Sequence, residues 1–267
     1  MYRLLALDLD GTLLTPQHTI SERTYAALQK AVTAGMVLVV ATGQTLDVLR
    51  AVCAQLPLEA PQIIYNGAII ADIRNGAILH EQLVPPEHIL SALALIHNFG
   101  LHGVYHTRGR VYVDQGTPNA RQWYRPPVPP AIEVDDVASL YPEPCVKLVG
   151  AGEPATLREK RLELERLLSG KLYVTQASRE LIEFLHPQVS KGRALQTVTA
   201  MLGLAPAEVV AIGDNHNDIG MLRFAGLGIA MGNAHDEVKA EADYVTLRNS
   251  EDGVAAAIEE KVLPYLS

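Results

Sequence analysis

The sequence has little of what several classes of protein require. Only two cysteines occur in its 267 residues, Cys53 and Cys145, and they lie too far apart to form a metal motif or a disulfide framework. The formal net charge is −8 and the pI about 5.6, which argues against a nucleic-acid partner because such proteins carry a basic patch or stripe. No apolar run approaches the roughly 18–20 residues of a membrane span. The short apolar N-terminus ends in acids, unlike a secretory signal. We therefore expect a soluble, cytoplasmic protein without a membrane partner.

The common nucleotide-binding motifs are missing as well. The segment from Gly226 to Gly232 approaches the pattern GxGxxG, but its third glycine comes one residue late. A Walker A pattern does not occur. Both nucleotide-fold interpretations are therefore rejected.

The first and last thirds of the chain alternate short apolar segments with helical patterns, which indicates βαβ units and a parallel sheet. In the first third we predict strands at residues 2–7, 36–41 and 62–65, a helix after Ser21 that ends near Gly35, and a helix over 46–56. In the last third we predict strands at 209–212, 227–230 and 244–245, and helices from Ser190 to Gly203, through Met221 to Phe224, and from Ser250.

The middle of the chain follows a different pattern, richer in proline and histidine. Residues 104–106 and 111–113 flank a turn, and residues 172–174 and 181–184 flank another, so each pair predicts a hairpin. Helices are expected near 87–99 and 156–168, and residues 123–130 are expected to form an extended loop. The sequence thus predicts an α/β fold in which a parallel-sheet core is interrupted by an inserted α+β module.

Two carboxylates stand where the first apolar segment ends. Asp8 and Asp10 are two positions apart, so on a strand they would point the same way, and Gly11 permits a tight turn after them. An Asp-Gly pair after a strand is often only a turn, and this segment alone leaves that interpretation open. A nucleophile, an acid/base and a cation ligand could all be built here.

Other polar residues also follow predicted strands. Thr42, Asn66 and Asp214 occupy such positions, and ligands of open α/β sheets bind beyond the C-terminal ends of the strands. Asp214 and Asp218 add two carboxylates, which are the hard oxygen ligands that suit Mg²⁺. Two carboxylates about 4 Å apart repel by roughly 4 kcal/mol at an effective dielectric of about 20. A divalent cation, aided by Lys191, would offset that repulsion. Asp214 as a simple helix N-cap and Lys191 as a solvated surface charge are the plainer alternatives.

Four ordered motifs complete the pattern. They are Asp8-Leu9-Asp10-Gly11-Thr12-Leu13-Leu14, Ala41-Thr42-Gly43, Val189-Ser190-Lys191-Gly192, and Gly213-Asp214-Asn215-His216-Asn217-Asp218. With them the chain resembles the haloacid dehalogenase-like superfamily of phosphohydrolases, in its Cof-type branch. The resemblance implies a Rossmann-like parallel-sheet core with helices on both faces at 1–82 and 190–267. It also implies an inserted α+β cap domain at 83–189, which closes over the site.

The resemblance also implies roles for individual residues. Asp8 would be the nucleophile and Asp10 the acid/base. Mg²⁺ would be held by the Asp8 side chain, the Asp10 backbone carbonyl and Asp214, with Asp218 as an outer or occasional direct ligand. The phosphoryl-binding residues would be Thr42, Gly43, Lys191 and Asn217. One departure stands out, because Gln44 replaces the arginine that usually follows Thr-Gly in this branch.

The expected activity is Mg²⁺-dependent hydrolysis of a small phosphorylated metabolite, such as a sugar phosphate, through an aspartyl-phosphate. A flavin mononucleotide or pyridoxal phosphate is also compatible with the branch. Two alternatives stay open: a phosphomutase of the same superfamily, and a non-catalytic metabolite-binding protein that keeps the fold. Candidate substrate contacts in the inserted module are His106, Arg108, Arg110, Trp123 and Arg125, each of which could equally be an ordinary loop residue.

Overall fold

The structure, a computed structural model, describes residues 1–120, 124, 128 and 130–266. The chain divides into two compact units. The first comprises Met1–His80 together with the chain from Ser190 onward, and the second is Glu81–Val189. The domain prediction from the sequence has boundaries after residues 82 and 189.

The described strands and helices include the predicted ones, together with others that the sequence analysis did not predict. The strands are β1 (Leu4–Leu7), β2 (Val37–Val40), β3 (Gln62–Ile64), β4 (Ile69–Ala71), β5 (Ile78–Glu81), β6 (His102–His106), β7 (Val111–Asp114), β8 (Ala131–Val134), β9 (Lys147–Ala151), β10 (Tyr173–Ser178), β11 (Leu181–Leu185), β12 (Val209–Gly213), β13 (Leu227–Ala230) and β14 (Tyr244–Val245). The helices are α1 (Glu22–Thr33), α2 (Leu46–Val52), α3 (Pro86–Asn98), α4 (Pro154–Leu167), α5 (Lys191–Met201), α6 (Ile219–Phe224), α7 (Asp236–Lys239) and α8 (Gly253–Ala257).

The first unit is built on a parallel sheet with the strand order β14-β13-β12-β1-β2. Strand β1 is central, and all its residues are buried, as expected for a parallel strand covered on both faces. One face of the sheet packs through Leu4, Ala6 and their neighbours on residues of α5, α6 and α7. The predicted α/β class with a parallel-sheet core is confirmed.

Strand β3 joins the edge of this sheet through a parallel bridge between Ala41 and Ile63. The fully buried side chain of Gln62 completes the junction: its Oε1 accepts the Val40 N–H (2.7 Å) and its Nε2 donates to the Leu38 carbonyl (3.2 Å). The amide thereby satisfies backbone groups of β2 that would otherwise be buried without partners. Strands β4 and β5, which the sequence analysis did not predict, extend β3 into a three-stranded sheet.

The second unit contains a six-stranded sheet in the order β10-β11-β9-β6-β7-β8. Both predicted hairpins are confirmed: Val104 pairs with Val113 in the first, and Tyr173 with Leu185 in the second. Apolar residues of α3 and α4 pack with one face of the sheet, around Phe184. Most of the predicted extended loop at 123–130, including Trp123 and Arg125, lies outside the described residues.

The last helix was predicted to begin at Ser250, and this was wrong. Residues Asn249–Glu251 form a 3₁₀ turn, and Asp252 takes a left-handed conformation with φ 57°. A left-handed residue cannot continue a right-handed helix, so α8 begins one residue later, at Gly253. In the part of the chain that the structure describes, no helix has both the length and the apolar character needed to span a membrane.

Candidate active site

Lys191 lies at the centre of the site, where it joins two of the predicted motifs. Its Nζ donates to Asp8 Oδ1 (2.5 Å) and to Asp218 Oδ1 (2.7 Å), and all three side chains are buried. Lys191 opens α5, whose start is set by Ser190: the hydroxyl oxygen of this residue accepts the Arg193 N–H (3.1 Å). The helix cap therefore fixes the point at which the ammonium group enters the site.

The loop after β12 holds the second acidic pair. Asp218 Oδ2 accepts the backbone N–H groups of Asp214 (2.9 Å) and Asn215 (3.0 Å), while its Oδ1 accepts from Lys191. Both oxygens of Asp218 are thus engaged by donors. Through these bonds the Asp218 carboxylate orients the loop and the lysine.

Asp8, Asp214 and Asp218 bring one carboxylate oxygen each to within 4.8 Å of one another. Burial and the Asp218 charge raise the pKa of the Asp8 carboxyl well above its ordinary value, and the same two causes raise the pKa of Asp214. Burial alone would lower the pKa of Lys191, but the charges of Asp218 and Asp8 outweigh it and raise that pKa. Three carboxylates around one ammonium leave an excess of negative charge, which suits a hard divalent cation.

Asp214 is held by two side chains from other parts of the chain. Thr12 Oγ1 donates to its Oδ1 (3.2 Å), and Asn233 Nδ2 donates to its Oδ2 (3.2 Å) and to the Gly11 carbonyl (2.8 Å). Gly11 has φ 84°, and a Cβ there would lie 2.5 Å from Asp214 Oδ2, so both conformation and space require glycine. Sequence reasoning missed Asn233 as a site residue, although its place shortly after β13 follows the same strand-end rule.

Asp10 faces the loop after β2 and is not a member of the three-carboxylate group. Its Oδ2 accepts a hydrogen bond from Gln44 Nε2 (2.9 Å). The backbone N–H of Gln44 in turn donates to the hydroxyl oxygen of Thr42 (3.1 Å), a buried side chain. Gln44, the residue that departs from the family pattern, therefore links Asp10, the predicted acid/base, to Thr42, a predicted phosphoryl-binding residue.

Asn217 and Asn66 form a further contact between strand ends. Asn217 Nδ2 donates to Asn66 Oδ1 (3.0 Å), and Asn217 Oδ1 is buried without a hydrogen-bond partner among the described residues. Asn66 lies in a turn where Tyr65 (φ 52°) and Asn66 itself (φ 58°) both take the left-handed region, and such strain is common at functional sites. Gly43 packs closely here, since a Cβ on it would lie 3.0 Å from Asn66 Oδ1.

Three of the candidate substrate contacts, His106, Arg108 and Arg110, have partners within the second unit. Arg108 Nε donates to Glu81 Oε2 (2.7 Å) in an exposed ion pair. Arg110 closes the β6–β7 turn through its backbone, which bonds to Thr107. His106 is buried, and its Nε2 lies 3.1 Å from the Tyr124 hydroxyl. These contacts give each residue a structural role inside the unit.

Known proteins resemble the chain over nearly its whole length. It matches the haloacid dehalogenase-like hydrolase family over residues 5–258. The 5-amino-6-(5-phospho-D-ribitylamino)uracil phosphatase YcsE of Bacillus subtilis is 34% identical over 263 residues, covering 98% of this chain and 96% of that protein. The pyridoxal phosphate phosphatase YbhA of Escherichia coli is 34% identical over 275 residues, covering 96% and 97%.

Solved structures agree with these relatives. The crystal structure of a haloacid dehalogenase-like hydrolase from Bacteroides thetaiotaomicron superimposes with a TM-score of 0.85 at 29% sequence identity. The match covers 97% of this chain and 99% of that one. The four motifs, the acidic cluster around a buried lysine and the matched relatives lead to one conclusion: the chain belongs to the haloacid dehalogenase-like hydrolase family, and it is a phosphatase.

Proposed function

We propose that this phosphatase hydrolyses a small phosphorylated metabolite with Asp8 as the nucleophile and Asp10 as the acid/base. The observation that carries the proposal is the contact of buried Lys191 with Asp8 and Asp218, beside Asp214. A carboxylate held against an ammonium group, with further carboxylates around it, is an arrangement for attack on an anionic phosphoryl group once the excess charge is neutralised.

The two half-reactions balance with these residues. An oxygen of Asp8 attacks phosphorus, the bond from phosphorus to the ester oxygen breaks, and Asp10 gives its proton to the departing alkoxide. Asp10 then removes a proton from water, the resulting hydroxide attacks the aspartyl-phosphate, and inorganic phosphate leaves while the Asp8 carboxylate is restored. Acid/base assistance of this kind contributes about 10²–10⁴ to the rate.

The residues present fit Mg²⁺. The donor set of Asp8 and Asp214 consists of carboxylate oxygens, and burial and the Asp218 charge raise the pKa of each, so a divalent cation would favour their charged forms. Asp8, Asp214 and the backbone carbonyl of Asp10 would hold the ion, with Asp218 supporting them. When bound, Mg²⁺ would neutralise charge on the phosphoryl oxygens.

The phosphoryl oxygens would be held by Lys191, Thr42, Gly43 and Asn217. Lys191 supplies its positively charged ammonium group. Thr42 supplies a hydroxyl and Gly43 a backbone N–H, both just after the end of β2. Asn217 Nδ2 donates one N–H to Asn66 Oδ1 (3.0 Å), and its second N–H would donate to a phosphoryl oxygen. Because phosphoryl transfer requires little other covalent chemistry, placement and charge carry most of the rate.

The substrate class follows from the relatives. YcsE acts on a phosphorylated ribitylamino-uracil and YbhA on pyridoxal phosphate, as their names state. Both substrates are small phosphomonoesters. We infer that this chain takes a substrate of the same size and chemistry, a sugar phosphate or a similar phosphomonoester. A panel of phosphorylated sugars, flavin mononucleotide and pyridoxal phosphate, scored by phosphate release with Mg²⁺, would identify it.

The nucleophile is tested with Asp8→Asn. This variant should lose measurable phosphate release from an aryl phosphate, and mass spectrometry of acid-quenched enzyme should find a phosphorylated Asp8 peptide only in the parent protein. The matched control is Asp236→Asn, which removes a fully exposed carboxylate and should leave turnover unchanged. Retained activity in Asp8→Asn would remove Asp8 from the role. Isomerisation of a hexose phosphate without phosphate release would favour the phosphomutase.

A further inference from the structure

Gln44 is the residue at which the chain departs from its family's pattern, and it is in contact with the acid/base. Its Nε2 lies 2.9 Å from Asp10 Oδ2. The Asp10 side chain is 45% exposed, so it has no packed environment that would fix its orientation. A hydrogen bond from a neutral amide can fix this orientation without adding a cation beside the leaving group.

The backbone of Gln44 is anchored on both sides. Its N–H donates to Thr42 Oγ1 (3.1 Å), and its carbonyl accepts the Tyr65 N–H (3.1 Å). The next residue, Thr45, caps α2 by accepting the Val48 N–H (3.3 Å). Gln44 therefore projects from a loop that three separate hydrogen bonds hold, and its amide is a fixed point from which to hold a mobile carboxyl group.

The amide engages one oxygen of Asp10 and leaves the other for chemistry. His18 Nδ1 lies 4.0 Å from the remaining Oδ1, beyond hydrogen-bond distance, on a side chain that is 79% exposed. An arginine could instead bond both carboxylate oxygens in a fork and occupy them together. The glutamine thus leaves Oδ1 accessible to an ester oxygen or to water.

We propose that Gln44 is a positioning residue that orients the Asp10 carboxyl group for proton transfer to the leaving group. The proposal rests on the proposed function, in which Asp10 is the acid/base. If so, removing the amide should lower kcat/KM more for esters with poor leaving groups, which need a proton to depart, than for esters whose leaving groups depart without one.

The test compares Gln44→Met, which keeps the length of the side chain and removes the donor, with the parent enzyme. Values of kcat/KM are measured with Mg²⁺ for p-nitrophenyl phosphate and for a simple alkyl phosphate. We expect about a tenfold loss for the alkyl ester and less than about twofold for the nitrophenyl ester, a fraction of the full acid/base contribution. The matched control is His18→Ala, the other neighbour of Asp10, which should change neither value.

A second variant keeps the test decisive if Gln44→Met does not fold. Gln44→Asn shortens the side chain by one methylene, which withdraws the N–H donors from Asp10 without adding a charge, and it should show the same preference for the nitrophenyl ester. Equal losses on both esters, or a rise in KM alone, would overturn the proposal, because they would make Gln44 a general binding or structural residue. A parent enzyme that released no phosphate would instead refute the proposed function, so the two failures are distinguishable.

Discussion

Among the described residues, two groups of side chains, one in each unit, bring possible metal-ligand atoms to within 4.8 Å of one another. In the first unit they are Asp8, Asp214 and Asp218; in the second they are His97, Asp114 and Asp136. By distance alone both would be metal sites. Their surroundings differ, and the difference shows what a cation site requires.

The second group is held by backbone N–H groups and by contact with one histidine ring. Asp114 Oδ2 accepts the Gly103 N–H (2.5 Å) and lies 2.7 Å from His97 Nε2, while its Oδ1 accepts the Val137 N–H (2.9 Å). Asp136 caps the following 3₁₀ turn by accepting the Ala138 N–H (2.7 Å). These bonds tie α3, β6 and β7 together, so this group holds the fold of its unit.

The first group is held by donors as well, but its charge is more deeply buried, since Asp8 and Asp218 are buried whereas Asp136 of the second group is exposed. The one ammonium, that of Lys191, donates to Asp8 and Asp218 and not to Asp214, and the pKa values of Asp8 and Asp214 are raised by burial and by Asp218. The comparison therefore teaches that proximity of ligand atoms is insufficient. An excess of buried charge is what makes the first group a candidate for Mg²⁺.

The sharpest way to break this comparison is Asp214→Asn. Loss of one carboxylate should lower kcat at least about 100-fold, since metal stabilisation of transition-state charge amounts to several kcal/mol. At 100 times its Kd, Mg²⁺ should stabilise the folded parent protein by about 2.7 kcal/mol and thereby raise its Tm. The Tm of the variant should not rise. If differential scanning calorimetry showed the same Mg²⁺-induced rise in Tm for the variant as for the parent, Asp214 would not be a ligand.

Asp114→Asn is the counterpart in the second unit. The new amide NH₂ group cannot accept the buried Gly103 N–H, so we expect the free energy of unfolding to fall by about 1–3 kcal/mol. The Mg²⁺-induced rise in Tm should stay as in the parent. If the variant lost that rise while remaining folded, the second group would be a metal site and the distinction drawn above would fail.

The raised pKa values predict that the stability of the protein changes with pH in opposite directions with and without Mg²⁺. The pKa of an aspartate in the unfolded chain is about 3.9, and folding raises the pKa of Asp8 and Asp214 above this value. Their contribution to stability is therefore complete below about pH 4 and is lost as the pH rises through the raised values. In EDTA, the Tm of the parent relative to Asp214→Asn should fall from pH 4 to pH 7. Mg²⁺ should reverse the trend at pH 7.

The smallest expected effect concerns the cysteines, one in each unit. Burial, with the Asp10 charge, raises the pKa of Cys53 to about 12, and burial raises that of Cys145 well above its ordinary value. At pH 8 only about one Cys53 thiol in 10,000 would be ionised, so alkylation by iodoacetamide should be slow in the folded protein and rapid in urea. Fast labelling of one cysteine in the native protein would show that its unit opens locally.

Much of the site was predictable because it lies where strands end. Asp8, Thr42 and Asp214 each follow an apolar run, and parallel strands place their C-terminal ends at one edge. The bond from Gln44 to Asp10 was not predictable, because it depends on side-chain directions in two loops. Asn233 was missed for a related reason: it donates both to the Gly11 carbonyl and to Asp214, and no spacing in the sequence encodes that pair of contacts.

The sequence by itself determined the parallel strands of the core, the helix caps at Ser21 and Ser190, and the carboxylates at the strand ends, since these depend on local periodicity and on residues a few positions apart. Only the tertiary structure decided that Lys191 bonds Asp8, 183 positions away, and that the two groups of possible ligand atoms differ in how deeply their charges are buried. Long-range pairing and burial set those properties, because the electrostatic energy of a carboxylate depends on every charge and donor that folding brings near it.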